Sequence, residues 1–289
     1  MNLSETERIK FAIPSKGRLM EPTIELLKKA GFKFRAKGRN LYATCTNYDI
    51  VFIFIRADDI PVLVQNGVVD LGITGSDLLV ERNAGDVVQL LSLGYGQCRL
   101  CVAVKDEWPG DTLDSLKGMN IATSFPVMTH DYFKRNGVDV HCIEMNGSVE
   151  IMIALNLANA IVDIVETGDS LRDNNLKVFS EIGSYETTLI SSKKMENDER
   201  VMRIKRRIEG VLVANHYSML EYNIHEKGLK DAESVTPGFE SPTVSKLDLE
   251  GWYSVKVMVK KSEVVQVMDS LESIGANAII ETEIVNCRL

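Results

Sequence analysis

Residues 163–171 have the sequence Asp163-Ile164-Val165-Glu166-Thr167-Gly168-Asp169-Ser170-Leu171. The run that leads into them, residues 160–165, is mostly apolar and β-branched, which predicts a buried strand. The Thr-Gly-Asp-Ser sequence that follows favours a tight turn and the start of a helix. Such a turn exposes backbone N–H groups, which suit a phosphate. The alternative is an ordinary strand-to-helix connection with Asp169 or Ser170 as its cap.

Two carboxylates, Asp163 and Glu166, come directly before the turn. They would repel a bare phosphate, so they favour ribose hydroxyls or Mg²⁺ as partners, with the phosphate a few residues further on. The stretch therefore indicates a phosphorylated sugar as the ligand.

An earlier segment repeats the same skeleton. Residues 70–78, Asp-Leu-Gly-Ile-Thr-Gly-Ser-Asp-Leu, share the pattern Asp-x-x-x-Thr-Gly-x-x-Leu with residues 163–171. Each copy follows a helical apolar pattern and then a hydrophobic strand. Two similar turns predict two similar α/β lobes with a ligand in the cleft between them.

The overall composition is that of an ordinary globular protein of two or three domains, with 289 residues and 45% hydrophobic residues. The net charge of −8 argues against nucleic acids and anionic membranes as partners, so local cations and backbone amides must bind any anionic substrate. No apolar run reaches membrane-spanning length, and the first seven residues lack the features of a signal peptide, which predicts a cytoplasmic location.

The cysteines and histidines do not predict a metal centre. Five scattered cysteines fit reduced thiols, and the spacing of Cys98 and Cys101 has no second pair to complete a metal site. A packed strand is the better interpretation there. The sequence also lacks a nucleophile elbow, a Walker loop and a Rossmann fingerprint, so those kinds of catalysis and nucleotide binding have no support.

A second candidate site lies near the start of the chain. The loop Pro14-Ser15-Lys16-Gly17-Arg18-Leu19 follows a short predicted strand, and open α/β sheets bind ligands at the carboxyl ends of strands. Two cations that flank a glycine can contact phosphate oxygens closely. The alternative is a pair of solvated surface cations.

The order of predicted elements gives the domain boundaries. Strand–helix alternation predicts mostly parallel sheets in lobe one, residues 1–104 with 187–213, and in lobe two, residues 105–186. Residues 215–289 predict strand–helix–strand–strand–helix–strand, the ferredoxin-like βαββαβ pattern. Such an appended module is commonly structural or regulatory.

Several of these segments resemble a known family. Residues 14–19, 70–77, 144–150 and 163–171 are similar to the signature segments of the ATP phosphoribosyltransferases. The tail, with Ser241-Pro242-Thr243 and Ile274-Gly275-Ala276, resembles the regulatory domain of that family's long form. The resemblance covers essentially the whole chain and keeps the order of the motifs.

The resemblance implies an enzyme of the first step of histidine biosynthesis, in which ATP and phosphoribosyl pyrophosphate give phosphoribosyl-ATP and pyrophosphate. It implies two lobes like those of periplasmic binding proteins, a requirement for Mg²⁺, feedback inhibition by histidine and a homo-oligomer that changes between dimer and hexamer. The reaction so implied displaces pyrophosphate from the anomeric carbon through an oxocarbenium-like state. Positioning and charge stabilisation should therefore supply most of the rate.

The resemblance also implies residue roles. The catalytic acids are Asp163 and Glu166, which hold ribose hydroxyls directly or through Mg²⁺. The phosphoribosyl-binding turn consists of Thr167, Gly168, Asp169, Ser170 and Leu171, where Asp169-Ser170 departs from the small or hydroxyl residue that is common in the family. The candidates for ATP or pyrophosphate are Lys16, Gly17, Arg18, Asp77 and Arg99, and the alternative for Asp77 is a helix cap. The histidine site, between neighbouring copies, includes Ser241, Thr243, Ser273 and Ala276.

Two other functions fit parts of the pattern. A prephenate dehydratase would also have two lobes and a regulatory tail, but the Thr-Arg-Phe motif expected there is absent, and Thr123-Ser124-Phe125 is the nearest stretch. A small-molecule sensor on a binding-protein scaffold would need no acids beside a phosphate turn and usually carries a DNA-binding module, which the sequence does not indicate.

Overall fold

The computed structural model describes residues 7–35 and 40–288. The first six residues, most of the segment in which no signal peptide was predicted, lie outside this range. The chain divides into two compact units, one of Met1–Ile24 with Lys33–Met202 and one of Glu25–Phe32 with Arg203–Leu289. No helix among the described residues is both long enough and apolar enough to cross a membrane.

The first unit contains two sheets. Its strands are β1 (Ile9–Pro14), β2 (Tyr42–Thr44), β3 (Ile50–Ile55), β4 (Leu71–Gly75), β5 (Val87–Ser92), β6 (Cys98–Lys105), β7 (Asn120–Thr123), β8 (His141–Glu144), β9 (Ala160–Val165), β10 (Leu176–Tyr185) and β11 (Thr187–Ser192). The strands of the second unit are β12 (Tyr217–His225), β13 (Thr243–Lys246), β14 (Trp252–Lys260) and β15 (Asn277–Glu283).

The helices, some of a single turn, connect these strands. They are α1 (Met20–Lys29), α2 (Ile60–Gln65), α3 (Ser76–Glu81), α4 (Pro126–Arg135), α5 (Glu150–Ala154), α6 (Asp169–Asp173), α7 (Glu199–His216), α8 (Leu229–Val235) and α9 (Val264–Ser273). Short 3₁₀ turns occur at Ala57–Asp59, Leu113–Leu116, Lys193–Met195 and Glu226–Gly228.

Lobe one is built on a six-stranded sheet in the order β2-β3-β1-β4-β11-β5. The central strands β3, β1 and β4 are parallel, whereas β2 pairs with β3, and β11 with β4 and β5, in the antiparallel sense. Its apolar strands bury a core that includes Ala12, Ile60, Val64 and Ile190. Since buried apolar surface is the main driving force of folding, this core fixes the end of β1 from which the Lys16–Arg18 loop projects.

Lobe two is built on a five-stranded sheet in the order β10-β6-β9-β7-β8. Strands β9, β7 and β8 are parallel, and β6 runs antiparallel to both of its neighbours, β9 and β10. Leu100, Val102, Ile121, Phe133 and Val162 lie in its buried core. Strand β9, which carries Asp163 and ends directly before Glu166, is the central strand of this sheet.

The two sheets are mixed rather than mostly parallel. The prediction of parallel strands holds for β3, β1 and β4 and for β9, β7 and β8, and it fails at β2, β6, β10 and β11. The chain enters lobe two on β6 and returns on β10 and β11, and Tyr185 of β10 pairs with Cys98 of β6. Because the chain enters and leaves lobe two at the same end, the entering strand β6 and the returning strand β10 run in opposite directions and pair as antiparallel neighbours. A pattern of alternating strands and helices does not reveal this pairing.

The second unit includes the predicted ferredoxin-like module. Its four strands form an antiparallel sheet in the order β13-β14-β12-β15, and α8 and α9 complete the βαββαβ sequence. Leu220, Val257 and Leu271 lie in its core. The buried Tyr222 hydroxyl is 2.7 Å from the Thr236 hydroxyl, so its polar group is satisfied.

Candidate active site

The turn after β9 adopts the shape that its sequence predicts. Gly168 has a φ of +81° and stands at the N-cap of α6, so neither Asp169 nor Ser170 caps this helix. A side chain at Gly168 would be strained by the left-handed backbone, and its Cβ would lie 3.4 Å from the Arg172 guanidinium. The first N–H groups of α6 have no preceding helical carbonyl to bind, so they are donors for an anion.

Side chains of the turn already donate hydrogen bonds to one anion, the carboxylate of Asp169. The Thr167 hydroxyl and the Arg172 guanidinium both donate to the Asp169 carboxylate. The Thr167 hydroxyl, and then the charge of Arg172, hold the pKa of Asp169 below its usual value. The Ser170 hydroxyl donates to Glu150 at 2.8 Å. The donors of the turn are thus oriented by two carboxylates.

Asp163 lies on β9, largely shielded from solvent. Burial raises the pKa of its carboxyl group, and the neighbouring charge of Glu150 adds to this effect. The Ser124 hydroxyl, 3.2 Å from Oδ1, and the Ile164 N–H act in the opposite direction because they stabilise the carboxylate. Ser124 comes from the connection after β7, so two adjacent parallel strands position this acid.

Arg18 joins the two lobes across the cleft. Its guanidinium, on the loop after β1, donates to the Glu166 carboxylate beside the turn of lobe two. Arg18 also lies near the Cys98 thiol: burial raises the pKa of that thiol, and Arg18 opposes the shift. The side chain of Arg18 is 31% exposed, so the pair is open to an incoming ligand.

A polar cavity of about 550 Å³ lies at this junction. Residues of both lobes and of the strands between them line it, among them Ser76, Cys98, Arg99, Glu166, Tyr185 and Glu186. Arg99 is held there by Glu181, 3.2 Å away, which also accepts a hydrogen bond from Ser184 at 2.9 Å. The cavity therefore brings cations and carboxylates together in a space large enough for a small phosphorylated ligand.

Asp77 lies in the first turn of α3 and is only 2% exposed. Burial raises the pKa of its carboxyl group, and the charge of Arg18 partly opposes that shift. Its Oδ1 accepts no hydrogen bond from the described residues. A Cβ on Gly75 would lie 2.0 Å from this oxygen, so the glycine of the first Thr-Gly turn is required by packing.

The structure thus places most predicted site residues in one region. Arg18 contacts Glu166 directly, Arg99 lines the same cavity, and the charge of Arg18 acts on both Asp77 and Asp163. Lys16 and Gly17 are exposed on the Arg18 loop, and Gly17 has a φ of +79°.

In the tail, the four candidates for histidine fall into two pairs. Ser241 and Thr243 line a cavity of about 550 Å³ that also contains Lys256 and Arg288. Ser273 ends α9, and Ala276 is buried in the core beside β15. Strands β13 and β15 form opposite edges of the sheet, so a single chain does not bring the two pairs together.

Sequence reasoning missed other residues of the cleft. Cys98 was interpreted only as part of a packed strand, yet it lines the cavity of the cleft. Ser124, Glu181 and Arg172 act through contacts with Asp163, Arg99 and Asp169. Of these, only Arg172, three residues after Asp169, could have been found from its spacing on one helix face.

The fold and this cleft define the class of protein: a two-lobed α/β protein with a polar cavity between its lobes and a ferredoxin-like module. The family described as "HisG: ATP phosphoribosyltransferase" matches residues 56–210, and the one described as "HisG, C-terminal domain" matches residues 214–286. The ATP phosphoribosyltransferase of Rhodopirellula baltica is 46% identical over 281 residues, which are 97% of this chain and 94% of that protein. This chain belongs to the ATP phosphoribosyltransferase family, which confirms the resemblance and makes it a phosphoribosyltransferase.

Solved structures agree with the fold. A chain of the ATP phosphoribosyl transferase (HisG:HisZ) complex from Thermotoga maritima is 30% identical, with a TM-score of 0.64 over 72% of this chain and 98% of that one. The substrate-binding protein of an amino acid ABC transporter has a TM-score of 0.50 at 16% identity, over 72% of this chain and 94% of that one. The second likeness concerns the fold alone and agrees with the predicted lobes of binding-protein type.

Proposed function

We propose that this chain transfers the phosphoribosyl group of phosphoribosyl pyrophosphate to N1 of the adenine of ATP, in the first step of histidine biosynthesis. The contact between Arg18 and Glu166 carries the proposal. It places a cation suited to pyrophosphate against an acid suited to ribose hydroxyls, beside the Thr-Gly turn and a polar cavity. In the reaction, the bond from C1′ to the pyrophosphate oxygen breaks, the bond from N1 to C1′ forms, and pyrophosphate leaves with the electron pair.

The 5′-phosphate is assigned to the turn after β9. The backbone amides of residues 167–171 and the hydroxyls of Thr167 and Ser170 are its donors. In the free protein, the Thr167 hydroxyl donates to the Asp169 carboxylate. When the substrate binds, the phosphate replaces this carboxylate as the acceptor. This exchange requires no new donor, because the existing donors change partners.

Asp163 and Glu166 are assigned to the ribose. Asp163 faces the ring from β9 and also stabilises the positive charge that develops on it, since a fixed carboxylate in a shielded site is electrostatically effective. Glu166 takes hydroxyl groups once Arg18 has turned to the phosphates. Lys16, Gly17, Arg18, Asp77 and Arg99 are assigned to ATP or to the leaving pyrophosphate, where cations offset the developing negative charge.

Mg²⁺ fits this arrangement as an ion that binds with the substrate. Among the described residues, no group of three or more His, Cys, Asp or Glu side chains could hold a metal ion. Mg²⁺ typically binds to one or two protein carboxylates together with substrate phosphates and water. Asp163 and Glu166 would supply those carboxylates, directly or through water, and the ion would neutralise pyrophosphate oxygens.

The tail, residues 215–289, is proposed as the histidine-binding regulatory domain, and the two lobes of the first unit as the catalytic portion. The predicted boundary at residue 104 is moved, because β6 belongs to the sheet of lobe two. Lys256 and Arg288 beside Ser241 and Thr243 support an amino-acid carboxylate there. Because β13 and β15 are opposite edges of one sheet, all four predicted residues can meet only between copies. We therefore propose a homo-oligomer, from dimer to hexamer. Five free cysteines support the cytoplasm as its compartment.

The test is a direct assay. Purified protein is mixed with ATP, Mg²⁺, phosphoribosyl pyrophosphate and pyrophosphatase, and the absorbance change of phosphoribosyl-ATP formation is followed. We expect turnover by the wild type and its loss, or a large rise in KM for phosphoribosyl pyrophosphate, in Asp163→Ala and Thr167→Ala. Wild-type kinetics in both variants would remove the assignment of the turn, and absence of product with the wild type would remove the proposed function.

A further inference from the structure

The free backbone N–H groups in the first turn of α4 donate to a side chain from the other lobe. Pro126 has no N–H group, and the Thr129 N–H bonds to the Phe125 carbonyl at 2.9 Å. The two remaining N–H groups of the turn, those of Val127 and Met128, donate to the two carboxylate oxygens of Glu81, each at 3.0 Å. Phe125 at the N-cap has no side-chain acceptor, so Glu81, which is not part of this helix, provides the side-chain acceptors that cap it.

Glu81 spans the boundary between the lobes. It is the last residue of α3, which follows β4 of lobe one, whereas α4 follows β7 of lobe two. The residue is 8% exposed. A carboxylate is costly to bury unless its oxygens are hydrogen-bonded, and here both oxygens are. Glu81 therefore takes both of the free amides at this helix start.

A rigid connection leads from this helix start to the proposed catalytic acid. The Thr123 hydroxyl oxygen accepts the Phe125 N–H at 2.9 Å and lies 3.0 Å from the Thr129 hydroxyl. Between Thr123 and Phe125 stands Ser124, whose hydroxyl donates to Asp163. Because both neighbours of Ser124 are fixed, a shift of the first turn of α4 displaces the donor to Asp163.

We propose that Glu81 is a positioning residue: it holds the start of α4, and through it Ser124, so that Asp163 is in register with the groups of lobe one. The proposal rests on the role of Asp163 given above. A displacement of about 1 Å in a reacting group can cost about 100-fold in rate, so a weakened cap should reduce kcat measurably.

The experiment is a double-mutant cycle of Glu81→Gln and Ser124→Ala in the full-length protein. The amide in Glu81→Gln keeps one acceptor oxygen and sets an NH₂ group against the other N–H. We expect kcat to fall about tenfold in Glu81→Gln, with little change in KM for ATP. In the Ser124→Ala background, the same change at Glu81 should have less than about a twofold further effect, because residues that act as a unit are not additive.

Asp70→Asn is the matched control. Asp70, also in the first unit, accepts a distant backbone N–H, that of Lys10, at 2.8 Å, but this contact does not reach lobe two. We expect Asp70→Asn to lower the Tm about as much as Glu81→Gln does, but to leave kcat at the wild-type value. If Glu81→Gln does not fold, Glu81→Asp, which keeps the charge on a shorter side chain, takes its place in the cycle.

Additive effects of the two changes, or a wild-type kcat in Glu81→Gln, would overturn the positioning role. These outcomes are distinct from failure of the proposed function, which would appear as an inactive wild type. If kcat falls as much in Asp70→Asn as in Glu81→Gln, general destabilisation explains the loss of kcat. That result would also overturn the proposal.

Discussion

The Arg18 guanidinium donates to the Glu166 carboxylate, and this contact joins positions 148 residues apart in the chain. Arg18 belongs to a loop at the carboxyl end of a lobe-one strand, and Glu166 immediately follows the central strand of lobe two. Two groups that we assign to different parts of one substrate are therefore paired with each other in the free protein. Substrate binding must exchange this ion pair for contacts to pyrophosphate and to ribose.

Arg18→Gln should lower kcat/KM for phosphoribosyl pyrophosphate about 10- to 100-fold, since hydrogen bonds to charged groups contribute about 1.5–3 kcal/mol. Arg8→Gln is the matched control. Arg8 comes just before β1, so it lies at the opposite end of that strand, pairs with Asp49 at 4.0 Å and has a similarly exposed side chain. Steady-state kinetics with varied phosphoribosyl pyrophosphate give the comparison, and equal kinetics in the two variants would contradict the role of Arg18.

Asp169→Asn should lower KM for phosphoribosyl pyrophosphate. The carboxylate of Asp169 takes the Thr167 hydroxyl and the Arg172 guanidinium, which are donors that a phosphate also needs. Because the site is exposed, the effect should be only about two- to fivefold. It should also shrink as salt is added, since salt screens exposed charges.

Asp173→Asn serves as the control for Asp169→Asn, because it removes the same charge from the other end of α6. An unchanged or higher KM in Asp169→Asn would show that Asp169 organises the turn and does not compete with the substrate.

The sequence predicted the parts of the fold that depend on local pattern. The β-branched run before Asp163 forms β9, and the βαββαβ order of the tail is observed. Strand β10 was not predicted, because bulges between Val178 and Ser180 and between Glu181 and Gly183 interrupt its alternation. The apolar residues between Val149 and Ala158 are spaced for one helix face, which predicts a helix as far as Ala158. Helix α5 instead ends at Ala154, and Asn156 adopts a left-handed φ of +55°.

The candidate site was predictable where its residues stand in motifs. The turn after β9 and the loop of Arg18 were both identified, and the structure brings Arg18 to Glu166. The contacts of Glu81 with α4 and of Ser124 with Asp163 were not predictable. They link segments far apart in the chain, and no periodicity or spacing encodes such a pair.

Thr243→Val should weaken inhibition by histidine about three- to tenfold, the range expected for loss of one hydrogen bond. Thr243 is exposed on the edge strand β13, beside the cavity that contains Lys256 and Arg288. The measurement is the histidine concentration that halves the rate of the full-length protein. Thr112→Val, an exposed position in the first unit whose side chain makes no capping hydrogen bond, is the control and should leave inhibition unchanged. Equal inhibition of the wild type and Thr243→Val would relocate the histidine site.

The acid side of the pH–rate profile should report Asp163. Burial raises the pKa of this carboxyl group above its ordinary value, and the Ser124 hydroxyl partly offsets the shift because it donates to the ionised form. If the carboxylate is the active form, kcat/KM for phosphoribosyl pyrophosphate falls as the pH drops through that raised pKa.

Ser124→Ala removes a donor that stabilises the carboxylate, so the pKa of Asp163 rises further and the acid limb of the profile moves to higher pH. Ser115→Ala, whose hydroxyl donates to the Thr112 carbonyl outside the cleft, should leave the limb in place. A limb that stays in place in Ser124→Ala as well, or moves to lower pH, would show that a group other than Asp163 governs it. Asp163→Asn provides the independent check, because a limb due to Asp163 must vanish from whatever activity that variant retains.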